Sequence, residues 1–216
     1  AMPFAWAAWW HLLNVGQGWS SDPDHDIAQS GVLASRAIEL DQQNALALSI
    51  YGHVKSFLFH QHDVGALYLE QALAACPNSA LAWVLSSATL AYLGRGEQAV
   101  RYAEQGLRLS PFDRSLFFSH NILGIAHYAN GDFGNAVKWS RLSLSENPSF
   151  SANHRILIAS LVAAGQMDEA RDVMRELMRL EPHFRLGIWE RTRQPFRDPV
   201  LKAKHVERLR QVGLPE

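Results

Sequence analysis

A single cysteine, Cys76, occurs in the 216 residues, so no internal disulfide can form and a reducing compartment is the default expectation. No apolar run approaches the roughly 20 residues needed to span a bilayer, and the start lacks the basic segment and cleavage pattern of a secretory signal. Together these absences predict a cytoplasmic chain with no membrane partner. Charge of one sign is missing as well: 20 Lys and Arg stand against 21 Asp and Glu, a formal net charge of −1, which gives no global reason to expect nucleic acid or an anionic membrane. There is no Gly-x-Ser-x-Gly elbow, no phosphate-cradling glycine-rich loop and no activating neighbour for Cys76 in sequence. The expectation is therefore no intrinsic enzymatic activity, no cofactor and no catalytic residue. Runs of β-branched residues are also lacking, while Ala and Leu dominate, which points to an all-α chain.

What is present is a repeat. Pro77, Pro111, Pro148 and Pro182 recur about every 34 residues, each after an apolar-periodic helix of matching length. Gly65, Ala99, Ala136 and Ala170 fall at the twentieth place of successive segments, where a small side chain lets two helix axes approach closely. Gly94, Gly131 and Gly165 end the first helix of three segments, the position that most often takes a left-handed residue. Asn44 and Asn78, 34 residues apart, are placed to accept hydrogen bonds from free N–H groups at helix starts. Two antiparallel helices of about a dozen residues leave an apolar stripe that only the next pair can bury, so the units must stack.

This spacing resembles the tetratricopeptide repeat (TPR), a helix-turn-helix unit. The resemblance covers nearly the whole chain. Of the family's eighth-place glycines only Gly124 survives, and the segment after Pro111 is lengthened by Phe112, Asp113 and Arg114. It implies a right-handed α-solenoid of about five repeats, at residues 3–42, 46–77, 80–111, 115–148 and 151–182, with 183–216 as a C-terminal cap. The cap is read from Val200, Ala203, Val206 and Leu209, an apolar row beside a charged face. The arginines and lysines from Arg185 to Arg210 are expected to be the solvated face of that cap.

The other end differs. Phe4, Trp6, Trp9, Trp10, Leu12 and Leu13 crowd one short helix with almost no charge, and a helix apolar all round is expected to be buried. Its rings either pack wholly against the helix around Ile27 to Leu40, or an upstream domain or a second copy covers them. The stretches Ala5-Trp6-Ala7-Ala8-Trp9-Trp10, Leu107 to Asp113 and the ending Leu209 to Glu216 resemble the C-terminal repeat region of bacterial signalling proteins. In those proteins a class III adenylate or guanylate cyclase domain, or a winged-helix DNA-binding domain, precedes the repeats. That resemblance implies a non-catalytic protein–protein interaction or regulatory module of a larger protein. A free-standing adaptor or homo-oligomeric scaffold is the alternative.

In the TPR family the concave wall is lined by the second, fifth, ninth and twelfth places of each first helix. On this register the wall includes Ile50, Val54, Phe57, Val84, Ala88, Phe118, Asn121, Ile125, Tyr128 and Arg155. It is mainly apolar, which suits an amphipathic helix or an internal segment better than an acidic tail; alternatively, tight curvature buries these residues in the chain itself. If the wall is an open groove, Tyr128→Ala with Arg155→Ala should weaken partner binding without loss of helicity. Ten histidines invite a metal reading, and His60-Gln61-His62-Asp63 at one turn could stack on Asp22, Asp24, His25 and Asp26 at the preceding one. Turns collect polar residues anyway, so no metal is expected, and a metal-dependent hydrolase is only a remote third reading. His120, His127 and His154 are expected to be packed residues of first helices.

Overall fold

A computed structural model describes residues 1–216 and contains twelve α-helices and no strand. Ten of them form five antiparallel pairs: α1 (Met2–Gly16) with α2 (Pro23–Leu40), α3 (Ala45–Phe57) with α4 (His62–Ala75), α5 (Ala80–Tyr92) with α6 (Gly96–Leu109), α7 (Leu116–Ala129) with α8 (Phe133–Glu146), and α9 (Ser151–Ala163) with α10 (Met167–Leu180). A short α11 (Leu186–Thr192) and α12 (Pro199–Gln211) follow. Each pair packs on the next, and the architecture is an α-solenoid.

Local chemistry sets the boundaries. Gly94, Gly131 and Gly165 stop α5, α7 and α9 with φ near +76°, where a side chain would meet its own carbonyl. Asn44 caps α3 by accepting from the Ala47 N–H at 3.1 Å. Asn78 does not cap α5; its neighbour Ser79 does, accepting from the Ala82 N–H at 3.3 Å, because the helix starts one residue later than the 34-residue spacing implies.

The small residues work as close contacts. Ala99, Ala136 and Ala170 are fully buried. At the crossing of α3 and α4, a Cβ added to Gly65 would lie 2.6 Å from the Gly52 carbonyl oxygen, and one added to Gly52 would lie 2.8 Å from that of Gly65. Gly65→Ala must therefore push two backbones apart, and we expect it to lower stability by about 1–3 kcal/mol, measured by urea unfolding. An unchanged midpoint would show that the two helices can separate freely. Side chains tie helices within and between pairs: Ser87 of α5 donates to the Ala99 carbonyl of α6 at 2.7 Å, and Asn153 of α9 donates to the Ser140 carbonyl of α8, in the preceding pair, at 2.7 Å.

The C-terminal segment departs from a simple cap. After α11 the chain runs without helix from Arg193 to Asp198, and α12 packs chiefly on α9, not on the outside of α10. This brings residues 193–212 back along the concave side of the solenoid, where Phe196, Val206, Leu209 and Val212 join the same apolar core as α5, α7 and α9.

Candidate binding cleft

The concave wall predicted from the repeat register is occupied by the chain itself. Ile50, Val54, Val84, Ala88, Asn121, Ile125, Tyr128 and Arg155 are all buried, and Phe57 and Phe118 are half-buried. Two segments of the chain do this. From one side comes the strap of residues 193–212. Its Phe196 ring sits 6.0 Å from Tyr128 and 6.1 Å from Tyr92, with His205 at 5.2 Å, and the Arg197 N–H donates to the Tyr92 carbonyl at 2.8 Å. Arg208 donates to the Tyr128 hydroxyl at 2.8 Å, and Arg197 pairs with Asp63 at 2.7 Å. From the other side comes α1, whose Trp9 meets Phe118 edge to face at 5.3 Å.

An ion cluster closes the two ends of the solenoid on each other. Arg155 on α9 pairs with Glu181 at 2.5 Å and donates to the Gly16 carbonyl at the end of α1 at 2.7 Å; Arg193 reaches the same carboxylate at 3.1 Å and the Val15 carbonyl at 3.4 Å. Burial pulls the Arg155 guanidinium down to about 10, with the Glu181 charge opposing the shift, so it stays protonated at neutral pH. For Glu181, burial pushes the carboxyl up, but the Arg155 and Arg193 charges outweigh it and hold the group below its ordinary value.

These contacts correct three expectations. Arg155 is a buried structural ion and Tyr128 is 1% exposed, so their double alanine variant would disturb the fold and cannot report on a partner in an open groove. Arg193 and Arg208 are not solvated bystanders on a cap but fasten the strap, whereas the Arg197 side chain stays exposed, as expected, in a surface pair with Asp63. The rings of α1 do not pack wholly against α2: Ala5, Ala8, Leu12 and Val15 are buried, whereas Phe4, Trp6 and Trp10 remain exposed.

What stays open is a cleft of about 260 Å³ between α1 and the N-terminal ends of α5 and α7. Trp6, Trp9, Leu13 and Trp19 form one wall; Ala80, Leu81, Val84, Phe117, Phe118 and Phe150 form the other, with Ser110, Asp113 and Ser115 at the α6–α7 connection. Trp6 is 50% exposed and Trp19 58%. Two predicted wall residues, Val84 and Phe118, line this cleft. Phe57, Asn121, Ile125 and Arg155 instead border a smaller pocket of about 70 Å³ between the end of α1 and the strap. Ile50, Val54, Ala88 and Tyr128 border neither. Sequence reasoning missed Trp19 and Asp113; a tryptophan in a polar turn and the three-residue lengthening after Pro111 were the available signals.

The histidines separate by environment. His62 is buried, shares a 3.0 Å hydrogen bond with Ser56, and is pulled down to about 4, chiefly by burial. Asp63 pairs with Arg197, and Asp26 pairs with His11. No group of three or more His, Cys, Asp or Glu side chains is placed to hold a metal ion. His120 stacks on Trp139 at 5.3 Å and bonds Glu146 at 2.8 Å; His127 lies 3.2 Å from Asp132, and His154 bonds the Phe150 carbonyl at 3.2 Å. No helix is long and apolar enough to cross a membrane.

No protein-family model matches the chain, and no curated protein matches it in sequence. Solved structures do match in fold. PilW, a widely conserved type IV pilus biogenesis factor, is 19% identical with a TM-score of 0.65, over 93% of this chain and 88% of PilW. A thermophilic TPR protein of Thermus thermophilus is 15% identical at a TM-score of 0.63, over 86% of this chain and 91% of that one. The Cut9–Hcn1 hetero-tetramer of the APC/C is 15% identical at a TM-score of 0.64, over 88% of this chain and 38% of the matched chain. At these identities the likeness defines the class by fold, an α-solenoid of the tetratricopeptide type.

Proposed function

We propose that this chain is a non-catalytic interaction and regulatory module that docks a peptide segment of another protein in the cleft beside α1. The observation that carries this reading is a cleft walled by half-exposed tryptophans in a solenoid whose remaining concave surface is filled by its own strap. Large aromatic side chains left in water beside a concavity are the usual anchors of a partner. Trp6→Ala with Trp19→Ala should abolish co-purification of the partner from source cells with the far-UV spectrum unchanged, since both side chains are largely outside the core. Retention of the partner by the folded double variant would reject the cleft.

The resemblance of the chain's two ends to cyclase-associated and regulator-associated repeats supports a cytoplasmic place at the C-terminus of a larger bacterial signalling protein. In that place the module would pass partner binding to an upstream effector domain. A native polypeptide far larger than 216 residues, detected with an antibody to this region, is the expected result. A band of this chain's own size would support the second reading, an adaptor or homo-oligomeric scaffold. That reading is favoured by Met2 and Trp10 of α1, both exposed and outside the cleft, as a contact between copies.

A further inference from the structure

We propose that the cleft selects a cationic side chain, arginine or lysine, of the docking peptide, held over the tryptophan faces with Asp113 as counter-charge. This rests on the reading of the cleft as the docking site and adds the chemistry of its ligand.

Three observations carry it. First, the lining is aromatic on both sides, with Trp6, Trp9 and Trp19 on one and Phe117 and Phe118 on the other, Trp9 and Phe118 meeting edge to face while Trp6 and Trp19 stay exposed, and the faces of such rings attract cations. Second, these faces have no internal cation. Lys or Arg groups lie over rings elsewhere, such as Lys138 over Trp139 and Arg208 over Phe133, yet none lies over any of the five rings named above. Third, the charge around the cleft is one-sided. Asp113 is the only charged residue in the lining, it is exposed, and it forms no ion pair; it accepts from the Ser115 N–H and the Ser110 hydroxyl. The residues that α1 and the turn after it contribute to the lining, Trp6, Trp9, Leu13, Gln17 and Trp19, carry no charged side chain, so no Lys or Arg of that wall competes for the site. Arg114, beside Asp113, is exposed and does not line the cleft. An acidic peptide would meet repulsion here, and a wholly apolar one would leave the Asp113 carboxylate unused.

The seven tryptophans make the test local, because each indole N–H gives its own nuclear magnetic resonance signal. The full chain is titrated with an acetylated, amidated Leu-Arg-Leu-Arg peptide and with the same peptide carrying citrulline, which keeps the shape of arginine without its charge. The expected result is saturable shifts of the Trp6, Trp9 and Trp19 indoles with the arginine peptide and about tenfold weaker binding of the citrulline peptide. Trp83, Trp139 and Trp189 should stay still. Asp113→Asn keeps the acceptor for Ser115 and should weaken only the arginine peptide. Equal binding of the two peptides at the cleft indoles would overturn charge selection and leave peptide docking standing. If neither peptide moves these indoles, or the shifts fall on the other tryptophans, docking in the cleft and its charge selection both fail.

Discussion

Replacing Glu181 by Ala is expected to destabilise the protein by about 3–5 kcal/mol, because it leaves two guanidinium groups buried without their anion. The side chains of Arg155 and Glu181 are 5% and 6% exposed, and that of Arg193 is 14% exposed. None can recover its lost partner by turning into water. The loss is a large part of a typical total stability of about 5–15 kcal/mol. It falls on the point where α1, α9 and the strap meet, so the first and last repeats should come apart before the middle ones melt, as in a chain stabilised neighbour by neighbour. Urea unfolding followed by tryptophan fluorescence checks this. A single transition within about 1 kcal/mol of the unsubstituted protein would mean that the cluster contributes little to closure.

The second large effect is loss of stability in mild acid. His53 packs among the rings of Trp9, Phe57 and Tyr92, and His205 among Tyr128, Trp189 and Phe196, with the Arg155 and Arg208 charges nearby. Burial pulls both imidazoles from 6.5 down to about 3. The folded chain keeps them neutral while the unfolded chain takes up both protons once the pH drops below 6.5. Their contribution is therefore complete above pH 6.5 and is lost progressively as the pH falls towards 3. Two such groups give a slope of about 3 kcal/mol per pH unit near pH 5. Thermal unfolding at pH 7.5, 6 and 5 should show a steep fall in Tm. His205→Phe, which fills similar space without a titrating group, should flatten the slope by about one proton. Equal Tm values at pH 7.5 and 5 would show that these rings are accessible to protons in the folded state.

The repeat architecture was legible because it rests on local rules. A glycine that must adopt positive φ, an alanine at a helix crossing and a proline after a helix each state their constraint within a few residues, and the helix pairs follow. The groove was not legible for the opposite reason. Its occupants are fixed by contacts such as Arg193 with Val15 and Arg155 with Gly16, between residues more than a hundred positions apart, and no periodicity records them. The row of Val200, Val206 and Leu209 showed an apolar face on α12 but not which surface it would meet. Phe196 was the overlooked clue: a single aromatic in a proline-containing stretch between two helices is placed to anchor, and here it fills the space between Tyr92 and Tyr128. The cleft fell between these cases. The apolar character of α1 was plain, but its second wall comes from residues 80–84 and 110–119, which the repeat register assigns to separate units.

The central claim is that the concave wall is closed by the chain's own strap while the cleft beside α1 is free. Hydroxyl-radical footprinting of the folded protein, read residue by residue by mass spectrometry, tests it most directly. Trp6 and Trp19 should be oxidised at rates typical of open side chains, and Tyr92, Tyr128 and Phe196 at least about tenfold more slowly, as their near-complete burial requires. Fast oxidation of Tyr128 and Phe196 together would mean that the strap leaves the groove open in solution, and would contradict the account.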